Sequence, residues 1–392
     1  MLFTSKKVLL SFKDPKVFES MSSFELIRSY ALFTAFSFNP LIRHSFRLHQ
    51  AVPRLFQFLA RPAFSQFCAG ASEVDVAPRL AHLRHKGVGA ILDYAAESSS
   101  DLDKNVPILQ RAISAVSGSN DRVAVKLTAL ASVEDLERFS AFLLEHPAWL
   151  VDLPTDAFPP YIQPSIRRIE QVIHHAHNKQ VQVYIDAEWL TIQPAIEYIT
   201  LCLMKKFNTT HPIVSNTYQC YLQRTLAVVH RDLALAKRHK FVLGAKVVRG
   251  AYMTTERERA RSLGVSDPVC ADYYTTSANY HKVLGVLVKE AVVGHVLVAT
   301  HNPDSINVAL QHALTEEGKV NYAQLLGMAD NVTYGLAGAG KPVFKYVPYG
   351  PMQEVMPYLL RRAIENSALM GSVHVKNERD MVKRELTKRF FK

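Results

Sequence analysis

Short apolar runs and longer amphipathic stretches alternate along most of this chain. Eight runs have the spacing of β-strands: 88–94, 122–130, 181–188, 213–219, 243–250, 296–302, 324–328 and 342–347. The stretches between them place apolar residues at i, i+3 and i+4, as amphipathic helices do; examples are 162–179, 221–240, 275–291 and 304–315. Because strands that alternate with helices form parallel sheets, eight repeats favour a closed (β/α)8 barrel over an open, doubly wound sheet.

The chain before the first strand has helical spacing. From residue 15 to about 85 the apolar residues recur as in helices, and the expected breaks are Pro40, Pro53, Pro62 and Pro78. The most apolar window, YALFTAFSFNPLI, has 13 residues and contains a proline, so we interpret it as a packed helix followed by a turn. We therefore predict a helical arm in 1–85, one barrel domain in 86–375 and a basic C-terminal helix or tail in 376–392.

Composition restricts the class of protein more than it identifies it. Hydrophobic residues make up 48% of the 392 residues and charged residues 21%, as in a globular enzyme with a large core. No CxxC pair occurs in the sequence, whose cysteines are Cys68, Cys202, Cys220 and Cys270. This scattered spacing argues against a disulfide framework and a zinc site. The net charge of +11 fits nucleic acid, anionic membranes or acidic substrates without choosing among them.

Polar residues collect at the C-terminal ends of six of the predicted strands. They are Lys126, Asp186 with Glu188, Gln219, Lys246 with Arg249, His301 with Asn302, and Tyr346. In a (β/α)8 barrel these strand ends form the mouth, where active sites lie. Each residue alone could be a solvated strand end, but their recurrence at the same end predicts an active site there.

Three other motifs do not carry the function. GLAGAGKP at 335–342 lacks the Ser or Thr that holds magnesium in a phosphate-binding loop, and a strand follows it, so we interpret it as a turn before the eighth strand. The histidines His174, His175 and His177 have no acidic or thiol partner nearby, which favours a solvated helix face over a metal site. The basic tail alternates with acids, which favours a solvated helix or a membrane-surface contact over nucleic-acid binding.

The stretch PYLLRRAIENSALM at 357–370 carries two adjacent arginines on a predicted helix. Tyr358, Arg361, Arg362 and Glu365 fall on one face of that helix. The charged residues could be surface pairs at i, i+3 and i+4, which contribute about 0.3–0.5 kcal/mol. Alternatively, two guanidinium groups could bind one anion through paired hydrogen bonds.

Seven fragments, in this order along the chain, resemble one enzyme family. They are VAVKLTAL, YIDAEWLTIQPAI, NTYQCYL, LGAKVVRGAYMTTERERA, VATHN, LLGMADNVTYGL and PVFKYVPYGPMQEVMPYLLRRAIENS. Between about residue 10 and about residue 385 the chain resembles proline dehydrogenase (proline oxidase) of the eukaryotic mitochondrial type.

The resemblance implies a distorted (βα)8 barrel with an N-terminal helical extension and a last helix over the barrel mouth. It further implies a bound FAD, no metal, and oxidation of L-proline to Δ1-pyrroline-5-carboxylate, the first step of proline catabolism to glutamate. Electrons would pass to ubiquinone at the matrix side of the inner mitochondrial membrane, through peripheral membrane contact. The basic start MLFTSKKVLLSFK only weakly resembles the tail of a presequence.

The resemblance also assigns residues. Lys126, Arg361 and Arg362 would bind the proline carboxylate, and Asp186 would hold the polar network of the pocket. The wall of the pocket would be Tyr252, Tyr346, Tyr358, Val247 and Ala187. The flavin contacts would be Gln219, Lys246, Val248, Gly250, Ala251, Thr300, His301, Asn302 and Glu365. No general base stands out, so the deprotonated amine could be selected from solution.

Alternatives from two classes remain open at this stage. Hydroxyproline dehydrogenases carry a smaller residue where this chain has Tyr346, so its phenol favours proline. A methylenetetrahydrofolate-reductase-like barrel would have no use for the arginine pair. A non-enzymatic lipid- or RNA-binding protein would use the basic surface and would be colourless when purified. The sequence does not predict the oligomeric state or the quinone site.

Overall fold

Eight strands form a closed parallel barrel in the computed structural model of the chain, and they follow one another around it in chain order. Their bounds are β1 Gly89–Tyr94, β2 Arg122–Val125, β3 Val183–Ile185, β4 Val214–Gln219, β5 Leu243–Val248, β6 Val293–Ala299, β7 Val320–Leu325 and β8 Val343–Tyr349. The structure describes residues 9–19, 21–36, 53–95, 101–155, 157–316, 318–355 and 373–391. The closed barrel of eight parallel strands confirms the α/β barrel that the sequence predicts.

Helices follow most of the strands. The described helices are α1 Ser23–Phe36, α2 Pro53–Phe67, α3 Glu73–His85, α4 Leu102–Val116, α5 Val133–Glu145, α6 Trp149–Asp152, α7 Gln163–Asn178, α8 Gln193–Phe207, α9 Thr225–His239, α10 Met253–Leu263, α11 Tyr273–Lys289, α12 Pro303–Ala313, α13 Asp330–Gly338 and α14 Val373–Phe390, with 3-10 turns at Pro15–Phe18 and Leu127–Ala129. No described helix is long and apolar enough to cross a bilayer.

The chain divides into two compact units. The first unit contains the described residues of 99–300 and 305–322, and the second contains those of 8–98, 301–304 and 323–392. The domain boundaries that the sequence predicts, at residues 85 and 375, remain predictions.

Two strands begin before their predicted positions. The expected strand at 296–302 begins at Val293, and the expected strand at 324–328 begins at Val320. In both cases a polar residue interrupts the apolar run, His295 in β6 and Asn321 in β7, although both side chains are buried. Their hydrogen bonds inside the barrel compensate for their desolvation, which the apolar pattern does not reveal.

The first unit contains a buried polar cluster of residues from β2, β3, β6 and β7. Arg122 donates to the Tyr184 hydroxyl and, at 3.4 Å, to the side-chain oxygen of Asn321. The same hydroxyl lies 3.1 Å from Nε2 of His295. Burial, followed by the nearby Arg122 charge, lowers the pKa of His295 well below its usual value, so this ring is neutral at physiological pH. Arg122, His295 and Asn321 lie in the N-terminal halves of their strands, whereas Tyr184 lies in the middle of β3 and its ring centre is 5.9 Å from the Lys246 ammonium.

Helix α7 shows how the amphipathic pattern places the helices on the barrel. Its buried residues are Ser165, Ile166, Ile169, Val172, Ile173 and Ala176, which recur every three or four positions. Of the histidines of this helix, His174 is exposed, with its ring centroid 4.8 Å from that of Phe207, whereas His175 and His177 are half-buried. Nε2 of His175 lies 2.8 Å from the Ser114 hydroxyl, so only part of the solvated-face prediction is confirmed. Among the described residues no group of His, Cys, Asp and Glu has the arrangement of a metal site.

The second unit contains the N-terminal helices, and two predicted breaks are wrong there. Pro53 begins α2 as expected, but Pro62 lies inside α2 and Pro78 inside α3. Helix α3 tolerates the missing N–H because a capping box of Ser72 and Asp75 starts it, and its apolar face is buried. Tertiary packing here outweighs the local cost of proline.

The glycine-rich motif 335–342 is only partly a turn. Residues 335–338 form the last turn of α13, the chain turns at 339–340, and β8 then begins at Val343. The absence of a following helix, which argued against a phosphate loop, is confirmed.

The C-terminal helix α14 is docked on one face rather than fully solvated. Met381 and Val382 are buried in a cluster with Phe18 and Leu26. The buried carboxylate of Glu378 accepts hydrogen bonds of 2.9 Å from the backbone N–H groups at the start of α13. Burial is the largest of the effects that raise the pKa of Glu378 to about 7. All four cysteines of the chain are buried, and none of them forms a disulfide, as the sequence predicts.

Candidate active site

Lys246 and Asp186, two of the predicted residues, form a buried ion pair. The Lys246 ammonium lies in β5, whereas Asp186 is the first residue after β3, and the ammonium donates to the carboxylate. The side chains are 6% and 13% exposed. The ammonium also lies 5.9 Å from the centre of the Tyr184 ring. The structure therefore brings a cation and an anion together at the C-terminal ends of the strands, where the polar pattern predicted a site.

A second carboxylate lies beside this pair. Glu188 is 2% exposed, and its oxygens accept hydrogen bonds of 3.0 Å from the Thr128 hydroxyl. Its backbone carbonyl accepts a bond of 2.8 Å from the side-chain amide of Gln219. Burial raises the pKa of Glu188 to about 7, against the opposing effect of the Lys126 ammonium. The sequence analysis counted this acid among the polar residues at the strand ends but assigned it no role in the site.

Lys126 lies one residue beyond β2 rather than inside it. The strand ends at Val125, and Lys126 is the residue before the 3-10 turn Leu127–Ala129. Its side chain is half-buried, and it lies at the C-terminal end of the strand, as the polar pattern predicts. Its charge lowers the pKa of Glu188, against the larger opposite effect of burial.

Arg249 has surroundings that the sequence did not reveal. Its guanidinium donates to the hydroxyls of Thr300 at 2.8 Å, Ser305 at 3.0 Å and Ser277 at 3.2 Å. It also lies 4.9 Å from the centre of the Tyr280 ring, and its Nε is buried without a hydrogen-bond partner. Among the residues that the structure describes, no carboxylate lies within ion-pair distance of it. The positive charge is thus solvated by neutral oxygens and remains available to an anion.

The segment after β5 has a constrained backbone. Gly250 has a φ of +130°, and a Cβ there would lie 1.8 Å from the Tyr221 ring. The close approach that requires glycine is therefore to an aromatic ring of this chain. Ala251 is exposed, and the half-buried Tyr252 packs at 5.9 Å from Trp189.

Strand alternation separates two predicted pocket residues. Because successive side chains of a strand point to opposite faces, Val247 does not share the face of Lys246, whereas Val248 does. Val247 is fully buried, and its carbonyl accepts a hydrogen bond of 3.2 Å from Tyr280. Its assignment to the substrate pocket therefore rests on the resemblance alone. Ala187, between the two acids that follow β3, is half-buried.

The second unit holds three further predicted residues. His301 accepts a bond of 3.0 Å at Nε2 from the backbone N–H of Leu325, so a neutral ring carries its proton on Nδ1. The Asn302 side chain accepts a bond of 2.8 Å from the N–H of Asp304, at the start of α12. Tyr346 is half-buried within β8.

Four predicted residues lie outside the described residues. They are Tyr358, Arg361, Arg362 and Glu365, together with the expected helix over the barrel mouth. Their roles remain predictions from the resemblance.

Comparison with known proteins identifies similar sequences and folds. The family described as "Proline dehydrogenase" matches residues 76–375. The chain is 31% identical to hydroxyproline dehydrogenase of Xenopus laevis, over 97% of this chain and 91% of that protein. It is 42% identical to mitochondrial proline dehydrogenase 1 of Homo sapiens, over 57% of this chain and 38% of that protein.

Among solved structures, proline utilization A from Bdellovibrio bacteriovorus, inactivated by N-propargylglycine, resembles the chain with a TM-score of 0.67 and 17% identity. The match covers 97% of this chain and 39% of that one, and it supports the barrel fold.

Proposed function

Because the chain belongs to the proline dehydrogenase family, an oxidoreductase family, we propose that it oxidises L-proline to Δ1-pyrroline-5-carboxylate with FAD as its cofactor. The observation that carries this proposal is the group of charged residues at the C-terminal ends of β2, β3 and β5. There Asp186 pairs with Lys246, and Glu188 connects the turn after Lys126 to Gln219.

The described residues fit a bound FAD. The diphosphate of FAD is an anion, and Arg249 offers a guanidinium whose contacts are hydroxyls, with a buried Nε that has no partner. Lys246 supplies a second cation at the same strand end. When bound, FAD supplies the acceptor for the hydride that leaves the substrate carbon. Gln219, Thr300, His301 and Asn302 are the further contacts that we propose from the resemblance, with Val248, Gly250, Ala251 and Glu365.

The substrate carboxylate is the natural ligand of the remaining cations. Lys126 is half-buried at the end of β2, and we propose that it binds this carboxylate together with Arg361 and Arg362. A guanidinium binds a carboxylate through two parallel hydrogen bonds, which fixes the orientation of the ring that carries it. Asp186 cannot serve this role because its charge repels the carboxylate, so its role is to hold Lys246.

Aromatic residues form the proposed wall of the pocket. Tyr252, Tyr346 and Tyr358, with Ala187, would exclude water from the reacting atoms. The proline nitrogen must lose its proton before hydride leaves, and we propose that the deprotonated amine is selected from solution.

The choice between proline and hydroxyproline rests on Tyr346. The chain matches the Xenopus laevis hydroxyproline dehydrogenase over 97% of its length, and it matches proline dehydrogenase 2 of Arabidopsis thaliana over the same share, so the extent of the match does not separate the two substrates. We propose proline because a phenol at position 346 would crowd a ring hydroxyl. Hydroxyproline oxidation is the second candidate, and the 31% identity to a hydroxyproline dehydrogenase supports it.

The remaining partners follow from the family. Several relatives are named as mitochondrial, which supports a mitochondrial location. We propose the matrix side of the inner membrane, with ubiquinone as the electron acceptor and a peripheral membrane contact. The domain division into an arm at 1–85, a barrel at 86–375 and a tail at 376–392 is also proposed.

A visible spectrum tests the proposal. The purified protein should be yellow, and its flavin absorbance should bleach when L-proline is added without oxygen. Bleaching with 4-hydroxyproline but not with proline would select the second candidate. A colourless, folded protein that cannot be loaded with FAD would overturn the proposal in favour of a non-enzymatic binding protein.

A further inference from the structure

Glu188 connects several parts of the proposed site through hydrogen bonds. Its carboxylate accepts from the Thr128 hydroxyl at 3.0 Å and from the Thr128 backbone N–H at 3.3 Å. Thr128 lies in the 3-10 turn that begins directly after Lys126. The carboxylate thereby fixes the turn that carries the lysine.

The backbone of Glu188 is held equally firmly. Its N–H donates to the Gln193 side-chain oxygen at 2.8 Å, at the start of α8. Its carbonyl accepts from the Gln219 amide at the end of β4, also at 2.8 Å. Because these bonds satisfy the backbone on both sides, the carboxyl group has little freedom to move away from Thr128.

The charges that face this carboxyl group from the described neighbouring elements are few. The Lys126 ammonium favours the ionised form of Glu188, and the Asp186 carboxylate, which is paired to Lys246, disfavours it. Thr128, Gln193 and Gln219 are neutral. Burial outweighs these attractions and raises the pKa of Glu188 to about 7, so both protonation states exist near physiological pH.

We propose that Glu188 is the positioning residue of the substrate-binding lysine: it holds the turn of Lys126 through Thr128, and it takes up a proton when a substrate carboxylate binds Lys126. This inference rests on the proposed function, because it takes Lys126 as a carboxylate ligand.

The physical reason is competition for one cation. With Glu188 ionised, the Lys126 ammonium already faces a buried negative charge, so an arriving carboxylate gains less attraction and meets a like charge. With Glu188 protonated, this competition and the repulsion between the two carboxylates are removed. Linkage then requires the bound carboxylate to raise the proton affinity of Glu188, so that binding and protonation favour each other.

The test uses a ligand that has no amine of its own to titrate. Cyclopentanecarboxylate resembles the ring and carboxylate of proline, and its ionisation is complete from about pH 6.5 upward because carboxylic acids titrate near pH 4 to 5. Calorimetric titration of the FAD-loaded protein should show severalfold weaker binding as the pH rises from about 6.5 to about 8.5. Measurements in buffers of different ionisation enthalpy should show proton uptake on binding.

Substitutions separate positioning from charge. Glu188→Gln cannot titrate, so its affinity should be nearly independent of pH and its binding should take up no proton. Thr128→Val removes the hydroxyl that donates to the Glu188 carboxylate, so it should weaken binding at every pH without removing the pH dependence. Thr128→Ser keeps the hydroxyl and should retain the wild-type affinity.

A matched control is available outside the site. The exposed Glu137 accepts a bond of 2.7 Å from Thr191, which makes it a second threonine–glutamate pair in the first unit. Glu137→Gln should leave both the affinity and its pH dependence unchanged. Thermal unfolding of each variant checks that it is folded.

The outcomes distinguish this inference from the function beneath it. If the wild-type protein is bleached by proline but Glu188→Gln keeps the wild-type pH dependence and proton uptake, the inference is wrong and the function stands. If the wild-type protein neither binds the carboxylate nor is bleached by proline, both are wrong.

Discussion

The Lys246 ammonium and the Asp186 carboxylate form an ion pair that is almost entirely removed from solvent. Sixty residues of chain separate the partners, yet both lie at the C-terminal ends of strands of the same barrel. A buried pair of this kind gains little net stability, because desolvation offsets the attraction, but removing one partner leaves a buried charge without compensation.

We therefore expect Asp186→Ala to lower the free energy of unfolding by about 3–5 kcal/mol, as for other buried pairs that lose one partner. Urea unfolding monitored by tryptophan fluorescence measures the loss. The double variant Asp186→Ala/Lys246→Met should recover part of it, because no buried charge remains. A double variant as unstable as the sum of both single variants would contradict this account.

Loss of either of the two arginines that we propose to bind the substrate carboxylate, Arg361 and Arg362, should weaken substrate binding and leave the flavin bound. Arg361→Ala and Arg362→Ala should each cost about 2–4 kcal/mol, as truncation of one partner of a buried charge pair does. This corresponds to a rise in KM for proline of about 30-fold to about 1000-fold. Steady-state kinetics measure it, with the exposed Lys376→Ala as the control. An unchanged KM in both variants would remove these residues from the site.

Stability should depend on pH through Glu378. Burial raises its pKa from 4.5 to about 7, so between these pH values the folded protein holds a proton that the unfolded chain has released. Its contribution to stability is therefore complete below pH 4.5 and is lost as the pH rises towards 7.

Between pH 4.5 and about pH 7 the unfolding free energy of the wild-type protein should fall as the pH rises. We expect Glu378→Gln to make this slope shallower, by at most the slope that the release of one proton produces. Urea unfolding at a series of pH values measures it. The amide oxygen of glutamine can still accept from the backbone N–H groups of α13, so the helix contact should survive. An identical slope in the variant and the wild-type protein would show that Glu378 does not titrate there.

Gly250→Ala should destabilise the protein for two reasons. Its φ of +130° is strained for any residue with a side chain, and the new methyl group would overlap the Tyr221 ring. We expect a loss of at least about 1–3 kcal/mol, seen as a lower midpoint of thermal unfolding. Gly338→Ala is the matched control, because Gly338 lies in α13 and its Cβ would meet no atom within 4 Å. Equal effects of the two substitutions would contradict the argument.

The barrel could be predicted because several strands, such as β1 and β5, are mostly apolar and alternate with amphipathic helices. In β2 and β4 every residue is buried, which is the pattern of strands covered on both faces. The starts of β6 and β7 could not, because His295 and Asn321 are polar and become acceptable inside only through partners distant in sequence. Such pairings belong to the assembled barrel, and no local pattern contains them.

The site divides in the same way. The recurrence of polar residues at strand ends predicted that Asp186 and Lys246 would lie at one end of the barrel, and they do. It did not reveal that they pair directly, nor that Arg249 is surrounded by hydroxyls from three other segments. Val247 is an instance where the strand period alone separates a residue from its neighbour Lys246.

The rate at which each buried cysteine reacts with a thiol reagent can report local unfolding of the unit that contains it. Cys68 belongs to the second unit, and Cys202, Cys220 and Cys270 belong to the first. Burial raises the pKa of the Cys68 and Cys220 thiols, so neither reacts as a thiolate while its surroundings are intact. The rate at which a thiol reagent labels each cysteine, identified by mass spectrometry, therefore reports the opening of one unit independently of the other.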